Sequence, residues 1–139
     1  MAHRQKLQRT FEKWEAALGE LTESLQKPFG KDFEKDILIE IVTKRFEYTF
    51  ESMWKCLREK LLEEGVETNT PLACFKEAYQ LKLISAEHEE VFPLMVRKRN
   101  EIVHIYSSDD AQEIYLMIKD IFYPAIQILF ANLARIRNI

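Results

Sequence analysis

Between about Asp32 and Glu64 the chain has neither proline nor glycine, and this uninterrupted stretch limits the possible folds more than any other feature. Its apolar residues, Ile37, Leu38, Ile41, Val42, Phe46, Phe50, Met53, Trp54, Leu57 and Leu61, recur at helical spacing. A helix lying on a surface needs only one apolar stripe, whereas these side chains cover a broad face and call for neighbours on several sides. The expectation is a long central helix inside an all-α bundle.

The flanking segments supply the neighbours. Leu7, Phe11, Trp14, Leu18, Leu21 and Leu25 alternate four- and three-residue steps, the seam of a helix packed lengthwise on another. That first helix should end at Lys27-Pro28-Phe29-Gly30, because proline lacks an amide proton and disfavours helix at the residue before it. Gly65 stands where a left-handed cap would close the central helix, and Thr70-Pro71 is a cap followed by proline at the first helical position. A short third helix should run from there to about Leu81.

Ser85 is placed to cap a further helix, with Glu87, Glu89 and Glu90 at the positive end of its dipole. Pro93 should bend or divide this segment, leaving Leu94 to Tyr106 helical. Ser107-Ser108-Asp109-Asp110 is a turn and cap signal, and within it Asp110 and Glu113 have capping-box spacing at the start of a last helix reaching about Ile136. Ile114, Ile118, Ile121, Phe122, Ala125, Ile128, Leu129 and Leu133 are expected to face inward along it, with a kink at Pro124. Four long helices and a short extra one give an antiparallel four-helix up-and-down bundle, a single domain over 1–139.

Composition agrees with this class. The 139 residues are 47% hydrophobic and include only three glycines and four prolines, too few for the many turns of an all-β fold. Folding at this length buries roughly 68% of the extended chain's surface, so no metal or disulfide staple is required. Cys56 and Cys74 lie in helical segments without zinc or redox spacing and are expected as buried thiols. Trp14, Phe46, Phe50 and Trp54 follow the helical period and are expected in the core, not as a base-stacking platform. The N-terminus lacks the apolar core of a signal peptide, and runs such as Ile37-Leu38-Ile39 fall short of the ~20 residues that span a bilayer. A soluble, cytoplasmic protein is expected. The formal net charge of −3 means that any contact with nucleic acid must be local.

The local basic cluster is Arg97-Lys98-Arg99, and His104 is the one histidine near it. On a continuous helix Arg99 and Tyr106 share a face to within about 20°, as do Asn100 and His104 at four-residue spacing. Arg99 and His104 are then about 140° apart. To act on one atom they require either a helix distorted near its end or a second copy of the chain across a two-fold axis, and the second is favoured. His88, in an acidic first turn, has no partner at metal-ligand spacing and is expected at the surface. Glu40, Glu47 and Glu51 form a stripe on the central helix that could face the cationic groove but is left out of the site.

The segment Arg99-Asn100-Glu101-Ile102-Val103-His104-Ile105-Tyr106, with four residues between Arg and His and one between His and Tyr, resembles the HEPN superfamily motif. The branch is that of the HepT toxin-like and nucleotidyltransferase substrate-binding proteins. The segment from Arg45 to Lys55 is similar to the second helix of that family, and the resemblance extends from about Asp36 to Leu133. It implies a HEPN four-helix fold, a homodimer, and a minimal nucleotidyltransferase as partner. Many members are metal-independent RNase toxins with no cofactor. By resemblance His104 is the general base or acid at a ribose 2′-hydroxyl, Arg99 holds the phosphate, Asn100 orients or polarises the same group, and Tyr106 accepts AMP from the partner.

Imidazole titrates near neutrality and guanidinium grips phosphate bidentately, so such an endoribonuclease is chemically reasonable. An adenylyl group on Tyr106 would place an anion on the Arg99 face and compete with RNA. Two other readings stand beside it. The protein could be a non-catalytic subunit presenting substrate to the nucleotidyltransferase, which the net charge mildly favours. It could also bind a nucleotide in the bundle groove without chemistry. Solvated helix surface is the bland reading of Arg99 and His104, and packing with its hydroxyl in water that of Tyr106.

Overall fold

The computed structural model describes residues 2–27, 34–105 and 107–137. The chain is all-helical over these residues: α1 Ala2–Leu25, α2 Lys35–Glu63, α3 Pro71–Gln80, α4 Val91–Glu101, α5 Ser108–Met117 and α6 Tyr123–Arg137. Short 3-10 turns at Ala86–His88 and Ile102–His104 flank α4, and a π turn at Ile118–Phe122 joins α5 to α6. The expected break at Pro28-Phe29-Gly30 and the expected helix start at Asp32 lie outside the described residues.

Side-chain pairs fix the directions. Arg4 meets Glu63, Lys6 meets Glu59 and Arg45 meets Glu23, so α1 and α2 are antiparallel. Lys35 bonds Gln112 and Phe46 stacks on Phe122, so α5 and its continuation run parallel to α2. Tyr123 meets Thr22 while Phe130 packs on Phe11 and Trp14, which makes α6 antiparallel to α1. Arg99 reaches Glu51, whereas Ile102 and Ile105 lie against the earlier part of α2, so α4 is antiparallel to α2. The result is an up-and-down four-helix bundle with α3 as the extra helix.

α2 is its axis. Leu38, Val42, Phe46, Phe50, Met53, Leu57 and Leu61 are fully buried, and Phe50, Phe75 and Phe92 form a chain of ring contacts that ties α2 to α3 and α4. The expected aromatic core of Trp14, Phe46, Phe50 and Trp54 is in place, and Cys56 and Cys74 are both buried thiols. Burial pushes the Cys74 thiol upward, against a bond to Thr68 Oγ1 at 2.9 Å and the charge of Arg58, both of which favour the thiolate.

The helix ends are built by local chemistry. Thr70 accepts from the Ala73 amide at 3.2 Å, with Pro71 first in the helix. Gly65 has φ 82°, and the bonds Val66 N–H to Leu61 O and Gly65 N–H to Leu62 O make a Schellman closure of α2. α3 closes the same way, through Leu83 N–H to Ala78 O and Lys82 N–H to Tyr79 O, but the left-handed position holds Lys82 at φ 64°. Burial of the following Leu83 and Ile84 stabilises this turn despite its cost.

Four expectations are corrected. The segment from Ser85 is divided and not bent, and the break falls ahead of Pro93: the chain makes a 3-10 turn and then starts α4 at Val91, so Pro93 sits in a first turn that needs no amide donor. Within the cap signal Ser107 to Asp110 it is Ser107 that caps α5, its Oγ accepting from the Asp110 amide at 3.1 Å, one turn before the Asp110 to Glu113 spacing suggested. Helix does not continue to Tyr106: α4 ends at Glu101, Ile105 is extended, and Tyr106 lies outside the described residues. Ile121, Ile128 and Ile37, assigned to the inward faces, are 41%, 42% and 46% exposed, while Tyr115 and Ile126 are buried instead.

The π turn accounts for part of that shift. Pro124 cannot donate, and its ring collides with the carbonyl four residues back, so the helix widens there and the Tyr123 amide bonds to Ile118 O. The added width carries Ile121 outward and keeps Ile118 and Phe122 both in the core. The run 109–136 is long and apolar enough, by length and composition, to cross a bilayer, although its apolar residues are interrupted by polar ones. In the bundle it forms the fourth helix, with Ile114, Ile118, Phe122, Ala125, Leu129 and Leu133 buried.

Two outcomes are expected. Lys82→Gly should raise stability to urea by about 0.5 kcal/mol, since removing the Cβ relieves about 1–2 kcal/mol of left-handed strain and glycine returns about 0.5–1 in chain entropy. The second concerns the polar end of the α1–α2 hairpin. Burial alone would raise Glu63, but bonds from Lys60 and Arg4 hold its carboxyl below the usual 4.5. A depressed carboxylate stabilises above its unfolded pKa and loses that contribution as pH falls through the folded value. Melting temperature should therefore drop on acidification below about pH 4.5, and Glu63→Gln should flatten this part of the profile.

Candidate functional site

α4 presents its basic cluster along its last turn. Arg97 is exposed, and Lys98 Nζ lies 3.2 Å from Glu101 Oε2. Arg99 behaves differently from a solvated arginine. Its Nη2 bonds Glu51 Oε1 on α2, its guanidinium carbon sits 5.3 Å from the centre of the Phe50 ring, and Nη1 donates to Asn100 Oδ1 at 3.4 Å. Stacking on an aromatic face and an ion pair together hold the group in one orientation while leaving it about one third exposed.

Glu51 is itself held. Its Oε2 accepts from Trp54 Nε1 at 3.0 Å and lies 3.8 Å from Lys55 Nζ. One carboxylate thus joins an arginine of α4 to a tryptophan and a lysine of α2. Spacing alone does not place Glu51 in the site. The signal was present in its Trp54 and Lys55 neighbours at three- and four-residue spacing and in the acidic stripe, but the approach of α4 was not readable from spacing.

After Glu101 the helix tightens. The 3-10 turn Ile102–His104 closes with the Ile105 amide on Ile102 O at 3.2 Å, and Val103 is left 70% exposed. His104 is exposed and lines a hollow of about 270 Å³ with Lys98, Glu101, Ile105, Asp110, Glu113 and Ile114. Ile105 also lines a second hollow of about 320 Å³, on the α2 side, where Glu40 and Glu47 are found.

The distortion does not bring the two motif residues together. A 3-10 turn advances about 120° per residue where an α-helix advances about 100°, so tightening the last three steps sets Arg99 and His104 roughly 160° apart. Arg99 belongs to the α2 side and Phe50, and His104 to the hollow beside α5. Asn100 is exposed and touches Arg99, not His104. Within one copy the structure joins Arg99 with Asn100 and keeps His104 apart; Tyr106 lies outside the described residues. His88 is half-buried in the turn before α4, with Nε2 3.5 Å from Glu87 Oε1. Among the described residues no three His, Cys, Asp or Glu side chains could hold a metal ion.

No curated protein matches the chain. A family model described as nucleotidyltransferase substrate binding protein like matches residues 9–135, which takes in most of α1 as well as everything from α2 to the body of α6. The motif, the helix order and this match agree: the chain belongs to the nucleotidyltransferase substrate binding protein like family, the HepT-like branch of the HEPN superfamily.

Proposed function

We propose that the protein is the HEPN component of a toxin-antitoxin pair, an endoribonuclease that acts as a homodimer and is silenced by a minimal nucleotidyltransferase. The carrying observation is the preset orientation of Arg99, on Phe50 and bonded to Glu51, at the end of a helix that also exposes His104. A helix surface that serves only solubility has no need to fix a guanidinium on a ring.

In this reading the residues of two copies complete each site, since Arg99 and His104 of one copy diverge by roughly 160°. The exposed Val103 beside His104 offers the apolar contact that a second copy would cover. His104 takes the proton of a ribose 2′-hydroxyl as the 2′-oxygen attacks phosphorus. The bond from phosphorus to the 5′-oxygen breaks, that oxygen takes a proton from solvent, and a cyclic phosphate remains. Arg99 holds the phosphate as its charge grows, and Asn100 orients the same group. Neither step calls for a metal or cofactor. The partner transfers AMP from ATP to the Tyr106 hydroxyl with release of pyrophosphate, and the added anion repels RNA phosphate from the motif.

The competing reading, a non-catalytic subunit that binds substrate for the nucleotidyltransferase, is favoured by the family description and by the net charge of −3. Incubation with cellular RNA in EDTA separates the two. Cleavage with cyclic phosphate ends should fall by about two orders of magnitude or more in Arg99→Ala and in His104→Ala. Intact RNA with folded wild type moves the assignment to the binding subunit.

Mixing the two inactive variants tests the shared site. A heterodimer of Arg99→Ala with His104→Ala keeps one intact Arg–His combination if the residues come from different copies, so partial activity should return. No recovery, or a monomer in gel filtration, rules the shared site out.

A further inference from the structure

Glu51, the partner of Arg99, also lines a hollow of about 150 Å³ together with Thr10 and Lys13 of α1 and Ser52 and Lys55 of α2. Lys13 and Lys55 are exposed, Ser52 is half-buried, and the Thr10 hydroxyl is already donated to Leu7 O at 2.9 Å. Two ammonium groups and a serine hydroxyl in a small hollow form a donor set for a phosphate-sized anion. With Arg99 they place three cations around one carboxylate, a surplus of two positive charges in a chain of net −3.

We propose that this hollow is a second phosphate subsite, and that Arg99, Lys55 and Lys13 form a strip along which single-stranded RNA lies, with Glu51 as its exchangeable counter-ion. The inference rests on the ribonuclease reading for its ligand, but it concerns residues outside the motif. Glu51 is suited to the exchange because its two oxygens have separate partners. Oε1 faces Arg99, while Oε2 is held by Trp54 Nε1 and lies near Lys55. When a phosphate takes Arg99, Oε1 is released and the carboxylate remains anchored through Trp54. Without RNA, the same carboxylate neutralises Arg99 and weakens capture of stray small anions. The next phosphate along the strand then meets Lys13, Lys55 and Ser52 across α2.

The strip supplies the local basic surface that an acidic chain needs to bind RNA, because affinity for a polyanion comes mainly from cations that displace its counter-ions. It also makes binding dependent on chain length: a mononucleotide reaches one subsite and an oligonucleotide reaches both.

The test is fluorescence anisotropy with a labelled, uncleavable 2′-O-methyl oligoribonucleotide over a salt series, using the full-length protein. The double variant Lys13→Ala/Lys55→Ala, on exposed positions, should weaken binding about tenfold and lower the salt slope by about 1 to 2. Glu51→Gln should tighten binding about threefold, provided that its thermal melt matches wild type; if it does not fold, the lysine variant alone decides. Unchanged affinity and slope in the lysine variant overturn the strip, as does weaker binding by a folded Glu51→Gln or no binding by wild type. Cleavage of unmodified RNA is read in parallel. Cleavage dependent on Arg99 and His104 but indifferent to the lysines rejects the strip and keeps the nuclease, whereas lysine-dependent binding without cleavage keeps the strip and rejects the nuclease.

Discussion

The packing of Phe50 decides more of this molecule than any other single contact. Its ring is fully buried against Phe75, which in turn meets Phe92 at the start of α4, so one chain of aromatic contacts sets where α4 crosses α2. The same ring lies beneath the Arg99 guanidinium. Core and surface site therefore share a residue, and the position of the one cation most suited to phosphate is fixed by apolar packing. Truncating such a ring costs about 3–5 kcal/mol in a core, so the location of Arg99 is as firm as the fold itself.

Much of this was legible from spacing, because burial of an apolar face imposes a period that the sequence must carry. The central helix, the seam of α1, the Gly65 and Thr70-Pro71 boundaries and the aromatic core could all be read from residue order. What escaped were features set by competition between local and tertiary terms. Asp110 to Glu113 has capping-box spacing, yet Ser107 caps α5, because its hydroxyl reaches the Asp110 amide and starts the helix a turn earlier. Ile121 fits a regular helix facing the core and is nevertheless exposed, because Pro124 forces a π turn that no 3.6-residue template contains.

The candidate site divides in the same way. Arg99, Asn100, His104 and Tyr106 came from a linear motif, which records residue types and spacing but no third dimension. Glu51 lies far from them in sequence and became visible only when the α4–α2 crossing brought its carboxylate to the guanidinium. Periodicity on α2 identified the acidic stripe and gave no sign of which member would meet a cation, since that choice depends on the approach of another helix.

The turn that follows α4 sets how far apart Arg99 and His104 stand within the chain. An α-helix continued through His104 would leave it about 140° from Arg99, and the observed 3-10 turn widens this to roughly 160°. Local distortion was the one route by which a single chain could have gathered both groups, and it runs the wrong way. The tightening instead turns Val103 into solvent and sends His104 toward α5, on the opposite side from Phe50. A helix end that spreads an arginine and a histidine to opposite sides and exposes an apolar residue between them is what the proposed two-copy site requires, because a two-fold interface brings the same surface of each copy together.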